Sequence, residues 1–380
     1  MFLSSLEKQG LLTSKDRILV YSIWGAVQVV FLVSFGINDH WDAYRYISTA
    51  QDIVTGHWDR RWNTGFYSAY IFVHVLLRLA GLPAKCMYVI QLLLSAVALD
   101  YFMRTLSLWV RSRMPLLISG ILYAICVNIQ QWVSILFTDP VFFDVQTIAI
   151  YYLLTERDGR MVRSWIFMIL LPLIRPTGVL FSVIAFVYWL VVSPRWRRSV
   201  TAGIWLLFLG VWVYLALTRD QGFFFPNHNL EANVICGYPS GLLGDLRVQY
   251  REGMSVIDFL WANPKMTGRL FVERLFKSFS MSRSFYSSLH NWVVEGDAML
   301  YYLLAVIGFV GLLKTDTRAG LILAVGVGVF CVPCVVFCVD SMGRFSLPVF
   351  CFVLLFAGVG VSNIYRWITG KGQNFPDENF

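Results

Sequence analysis

Charge is what this chain has least of. Asp, Glu, Lys and Arg together make up 14% of its 380 residues, against 57% for the hydrophobic types. A soluble domain carries nearer a quarter of charged residues, so an ordinary water-soluble globule is excluded. Histidine is scarcer still, with five in the chain, and no set of His, Cys and carboxylates stands at metal-ligand spacing. A phosphate-cradling loop, a dinucleotide fingerprint and a nucleophile elbow are all missing. The seven cysteines, at 86, 126, 236, 331, 334, 338 and 351, fall mostly inside apolar runs. Cys331-Val-Pro-Cys334 has the spacing of half a metal site with no second pair, so these cysteines read as small membrane-core residues. Nothing argues for disulfides. Internal repeats and low-complexity tracts are absent too.

What is present is apolar sequence in long runs, with a mean hydropathy of +0.63. The fold class this implies is all-α: a polytopic transmembrane helical bundle forming one domain over 1–380, with about ten to twelve spans. The net charge of +8 does not point to nucleic acid, because the basic residues cluster between spans as cytoplasmic anchors do. Residues 18–36 form a first span of about 20 residues, the length a bilayer core demands. Lys8, Lys15 and Arg17 place the N-terminus inside, and with no small-x-small cleavage site this span is expected to be retained. Residues 37–65 then form the first external loop.

Further basic groups lie at 157–163, 195–198, 314–318 and 366–371. With all four inside, 174–178, a long loop at 219–298 and 340–344 fall outside, and 366–380 is a cytoplasmic tail, disordered from Gly370 on. Residues 161–192 become two short helices meeting at Arg175-Pro176, where proline ends one helix and suits the first turn of the next. Between 66, outside, and 157, inside, the apolar runs 66–82, 87–110, 115–138 and 141–155 number four where parity requires an odd count. One of them does not cross. In the long loop, Met266, Leu270, Phe271, Leu275 and Phe276 suit a basic helix lying on the membrane surface.

The sharpest chemical signal sits just behind the first span, in Asn38-Asp39-His40-Trp41-Asp42-Ala43-Tyr44-Arg45-Tyr46. Read as a helix, Asp39, Asp42 and Tyr46 share one side. Ala43, Ile47, Ala50, Ile53 and Val54 form a second, apolar stripe. An amphipathic surface helix results, carboxylates up and oily side down. Its acids have two readings. Asp39 N-caps the helix while Asp42 complements its dipole, or the pair holds a general base near the membrane, able to take a proton from an acceptor hydroxyl. Arg175 and Arg344 stand at outer ends of spans. They are either snorkelling anchors or cations suited to a phosphate or pyrophosphate headgroup. Asp139, with Asp144 nearby, lies within or beside an apolar segment, where an acid is costly unless it caps a helix or serves function.

These residues resemble the GT-C integral-membrane glycosyltransferases, the superfamily of protein mannosyltransferases and lipid A aminoarabinose transferases. In that family the first external loop carries an Asp, then Tyr four on, Ala eight on and Gly fourteen on, offsets at which Asp42, Tyr46, Ala50 and Gly56 stand. An Arg-Pro-x-Gly turn is matched by Arg175-Pro176-Thr177-Gly178, and an Arg-aromatic-x-x-Pro element by Arg344-Phe345-Ser346-Leu347-Pro348. The likeness covers about 18–363. It implies inverting transfer of a sugar from a polyprenyl-phosphate donor to an acceptor hydroxyl on a glycan, lipid or protein, on the outer face of the membrane. Asp42 would be the base, with Asp39 beside it, and Arg344, Arg175, Tyr46 and Asp139 are the expected substrate- or phosphate-binding residues. Many relatives carry adjacent Asp-Glu, whereas here Ala43 follows Asp42 and the second acid precedes it. No cofactor is expected, a divalent cation being left open.

Two rival readings remain. A flippase or carrier for a lipid-linked saccharide would place charges along a path through the bundle. An O-antigen-type polymerase or ligase would use loop residues such as His228, Arg247, Arg251, Arg283 and His290. The localisation expected is a bacterial inner membrane with the site facing the periplasm and both termini cytoplasmic.

Overall fold

A computed structural model describes residues 11–57, 66–156, 162–192, 203, 205, 210, 249, 256–283, 286–336 and 344–370. Among them the regular structure is helical, and the one exception is an isolated bridge between Asn38 and Ile135. The helices are α1 (Ser14–Phe35), α2 (Asp42–Val54), α3 (Ser68–Leu79), α4 (Met87–Leu106), α5 (Arg113–Ile125), α6 (Thr138–Thr155), α7 (Val162–Ile174) and α8 (Val179–Val192). After these come α9 (Val256–Ala262), α10 (Pro264–Phe279), α11 (Ser288–Thr315), α12 (Thr317–Val336) and α13 (Leu347–Thr369).

Five stretches among the described residues are long and apolar enough to cross a membrane: Ser14–Phe35, Ala84–Leu106, Ser288–Thr315, Thr317–Val335 and Leu347–Thr369. Four shorter apolar helices accompany them. The outer surface is oily. Val29, Val30, Val33 and Phe35 on α1, and Met299, Leu303, Val306 and Val310 on α11, are exposed. In water such patches aggregate; against acyl chains they need no cover. The chain is a membrane-embedded helical protein. Within it α13 is central, with 89% of its apolar window buried, while α1, at 17%, lies on the rim.

The α11–α13 contact shows how apolar helices associate where lipid offers no hydrophobic drive. Small residues let the backbones meet. A Cβ on Gly308 would run into the Phe356 carbonyl, and one on Gly360 into the Leu304 carbonyl. No other residue type fits either position.

The polar termini of the bundle divide into two ends. At one, Asp16 opens α1 inside a capping box with Thr13 and takes a bidentate pair from Arg113 at the start of α5, both contacts 2.8 Å. Trp109, after α4, donates to Asp316, after α11, at 3.1 Å. At the other end the loop after α1 meets the loop before α6. Asn38 N–H donates to Ser134 O, and Leu136 N–H donates to Asn38 O, both at 2.9 Å.

The short helix α3 keeps to this second end. Tyr67 and Tyr70, at the entry to α3, pack on Tyr46 of α2 with ring centroids 5.2 Å away. Beyond the exit of α3, Lys85 lies 3.9 Å from Asp39. Both ends of α3 therefore stay beside the 36–46 segment. Its 12 residues span about 18 Å, too short for a bilayer core. α4, α5 and α6 run between the two ends.

Elsewhere the sequence expectations are partly revised. α7 and α8 meet at Arg175-Pro176 as expected. The helix expected to begin outside the bundle after residue 298 is already formed at Ser288, capped by the Ser287 hydroxyl. On α10 the buried stripe is Met266, Leu270 and Arg274, while Phe276 is exposed, because the helix packs against α12 and Arg274 reaches the Val335 carbonyl. The tail beyond residue 370 and all of 219–248 lie outside the described residues.

The close α11–α13 approach generates a prediction. Gly308→Ala and Gly360→Ala should each destabilise the protein by about 1–3 kcal/mol or more, the cost of overpacking a tight contact. Gly296→Ala on the same α11, where an added methyl meets nothing, should shift stability by no more than about 1 kcal/mol. Thermal unfolding of purified protein in detergent checks the ranking.

Candidate functional site

The interhelical end marked by the Asn38–Ile135 bridge carries four charged side chains in contact. Arg344 Nη1 donates to Asp42 Oδ2 at 2.7 Å, across 302 residues of sequence. Its Nε and Nη2 donate to Asp139 Oδ2 at 3.1 and 2.9 Å. Arg175 pairs with the other oxygen of Asp139. Each arginine also faces a ring: Arg344 lies 4.6 Å from the Phe137 centroid and Arg175 5.3 Å from that of Phe345. Planar guanidinium groups suit this double duty, edge to carboxylate and face to aromatic.

Local sequence places each member. Asp42 is the first residue of α2, behind Trp41, whose φ of 55° is the one positive value at a non-glycine among the described residues. A backbone held in that region costs about 1–3 kcal/mol and is sustained by its surroundings. Those surroundings include the Asn38 bridge and Asn38 Oδ1, which accepts from His40 N–H at 3.1 Å. Asp139 lies in the first turn of α6, where a carboxylate complements the helix dipole. Pro140 beside it gives up no needed donor.

Arg175 is extended, at φ −156° and ψ 140°, as a residue before proline prefers to be. Its N–H closes α7 on Leu171 O at 3.0 Å, and its carbonyl accepts from Gly178 N–H at 2.8 Å. A Cβ at Gly178 would strike the Leu171 and Pro172 backbone, which explains the glycine of Arg-Pro-x-Gly. Arg344 precedes α13, whose start is held by neighbours on both sides. Gln146 of α6 donates to Pro348 O at 3.2 Å, and the Cys334 thiol of α12 to Phe345 O, also at 3.2 Å.

Exposure falls steeply across the cluster. The Asp42 side chain is 35% accessible and Arg344 20%, whereas Arg175 is 6% and Asp139 is sealed. The open side of the network is therefore the Asp42–Arg344 pair. Tyr46 packs behind Asp42, buried with Ala43 and Ala50, its hydroxyl beside Thr138. Burial pushes that hydroxyl above its ordinary range, with Tyr67 and Asp42 adding to the shift. Arg45 lies over both the Tyr46 and the Tyr67 rings, 5.3 and 5.4 Å from their centroids.

Of the six residues singled out from sequence, Asp42, Asp139, Arg175 and Arg344 converge, and Tyr46 packs against them. Asp39 does not join them. It lies outside α2 and does not cap it, since Trp41 holds the N-cap position without a side-chain bond. Its neighbours are Lys85 at 3.9 Å and His40 at 3.8 Å. The expected shared face of Asp39, Asp42 and Tyr46 fails because the helix begins three residues later than the pattern suggested. Arg283 donates to Ser280 O and Ser282 O, and His290 stacks on Tyr286. His228, Arg247 and Arg251 lie outside the described residues. Phe137, Phe345 and Gln146 were missed by sequence reasoning. Phe137 and Phe345 were legible as aromatics adjoining Thr138-Asp139 and Arg344; Gln146 carried no such signal.

Among the described residues no group of three or more His, Cys, Asp or Glu is placed to hold a metal ion. Comparison with protein-family models, curated proteins and solved structures returns no match.

The energetic weight of the network falls on Asp139. Asp139→Ala would take the buried carboxylate away from both arginines and should destabilise the protein by about 3–5 kcal/mol. Asp39→Ala, which removes a half-exposed pair, should cost no more than about 1 kcal/mol. Denaturation midpoints of the two variants in detergent provide the check.

Proposed function

We propose that this protein is a membrane glycosyltransferase that moves a sugar from a polyprenyl-phosphate donor to an acceptor hydroxyl at the network end of the bundle. The observation that carries the reading is the convergence of Asp42, Asp139, Arg175 and Arg344. A half-exposed carboxylate and two guanidinium groups, drawn from distant segments, meet where apolar helices end. A sugar phosphate on a lipid tail presents its headgroup at that level.

In this reading Asp42 takes the proton of the acceptor hydroxyl as its oxygen attacks the anomeric carbon. The bond from that carbon to the phosphate oxygen breaks, and the phosphate leaves with the electron pair. Arg344 stabilises the developing charge, and Arg175 steadies the site from behind through Asp139. Attack opposite the leaving group inverts the anomeric centre. The role of Asp139 is positioning: it accepts from both arginines and fixes where Arg344 points. The likeness of Asp42 to Gly56, Arg175 to Gly178 and Arg344 to Pro348 to the GT-C pattern supports the same assignment.

The reading puts the network on the outer side, and the basic residues at the opposite end support it. Arg17, Arg104, Arg113, Lys314, Arg318 and Arg366 all lie toward the end opposite the network, on α1, α4, α5, α11, α12 and α13. Basic residues favour the cytoplasmic side. The network then faces the outer side, which in a bacterial inner membrane is the periplasm.

Membranes containing each variant, supplied with labelled polyprenyl-phosphate sugars, test the reading. Asp42→Asn should lower transfer by about 10²–10⁴-fold, the usual contribution of a general base. Arg344→Ala should lower it by about 10²–10³-fold. Asp39→Asn should stay within a few-fold of wild type. Unchanged transfer in Asp42→Asn, at equal protein level, would remove the base assignment.

A further inference from the structure

Arg344 does two things at once in this structure. Two of its nitrogens are directed at sealed Asp139, and the third is given to Asp42 at 2.7 Å. The carboxylate proposed as the base is thus held by the cation proposed to meet the phosphate. An anion entering from the open side meets the Asp42–Arg344 pair first, because Asp139 and Arg175 lie behind it with almost no exposure. Nη1 is the nitrogen of Arg344 that faces the exposed Asp42, and Asp42 already takes a bond from it.

We infer that Asp42 and the donor phosphate compete for Arg344, so that the base is released only when the lipid phosphate docks. This inference rests on the transferase reading and adds an order of events to it. With no donor, Asp42 is tied to Arg344 and is poorly placed to accept a proton from an acceptor or from water. When the phosphate takes Nη1, Arg344 keeps its two bonds to Asp139 and need not move far. Asp42 swings free beside the newly bound donor. Donor binding therefore precedes activation of the acceptor.

Linkage makes the coupling reciprocal. If phosphate must displace Asp42, removing the Asp42 charge must strengthen phosphate binding. The same substitution that abolishes transfer should then improve donor affinity. A carboxylate that helped hold the donor would move affinity in the opposite direction, and one that merely repelled it would move it equally with and without Arg344.

The test measures binding of farnesyl phosphate and, separately, inorganic phosphate to the full chain in lipid nanodiscs. Asp42→Asn and Asp42→Ala should each bind farnesyl phosphate at least about fivefold more tightly than wild type, the low end of coupling between linked sites. Arg344→Ala should erase the difference between Asp42 and its replacements, and Asp39→Asn should bind within about twofold of wild type. Tightening for inorganic phosphate as well supports competition through the headgroup alone. Tightening confined to farnesyl phosphate supports it for a headgroup presented by lipid. Equal or weaker binding of farnesyl phosphate by both Asp42 variants overturns the gating while leaving the transferase reading intact. No binding of either phosphate to any form, wild type included, overturns both together. Use of two replacements at position 42 keeps the result decisive where one of them folds poorly.

Discussion

The arrangement depends on one constraint: a carboxylate without solvent has to be neutralised where it stands. Asp139 is sealed at the start of α6, and the two cations that answer it arrive from the α7–α8 turn and from the approach to α13. Those three segments are fixed in relation to one another by this requirement. Arg344, so placed, reaches the first residue of α2 and brings the surface helix into register with the core. An apolar bundle is poorly determined by hydrophobicity alone, because lipid is as oily as the partner helix. A buried ionic hub gives it a unique assembly, as does the glycine contact between α11 and α13.

The surface and short elements take their places around that hub. Tyr67 and Tyr70, at the start of α3, wall Tyr46, and Lys85 beyond its end lies near Asp39. The Asn38–Ile135 bridge joins the loops on either side of the site, and Gln91 of α4 donates to the Ile135 carbonyl at 3.0 Å. Trp41 holds the strained turn from which Asp42 emerges. Each feature limits where the Asp42 carboxylate sits.

How far sequence went can be traced residue by residue. Membrane embedding was plain from long apolar runs. Arg175, Asp139, Arg344 and Asp42 were each visible as charges that apolar surroundings make costly, which is why isolated acids and arginines stand out in such chains. That they touch was invisible, because nothing in 302 intervening residues links Asp42 to Arg344. Asp39 was misjudged for a related reason. Helical periodicity was extended through residues 39–41, where the backbone at Trp41 breaks it. Likewise the role of α3 could not be read from hydropathy. A half-depth hairpin and a short span have the same composition, and they differ only in where the following turn lands.

The four described members of the network carry two charges of each sign, so the resting cluster sums to zero. A phosphate that docks on Arg344 makes the sum negative, in a place where excess charge is poorly screened. In the proposed reaction, the proton that Asp42 collects from the acceptor offsets the second charge that the phosphate takes on as its bond to the sugar breaks. The chemical step then leaves the sum unchanged, and departure of the phosphate with loss of the proton returns the cluster to balance. Charge parity, set by two aspartates and two arginines, would let a site of this kind cycle.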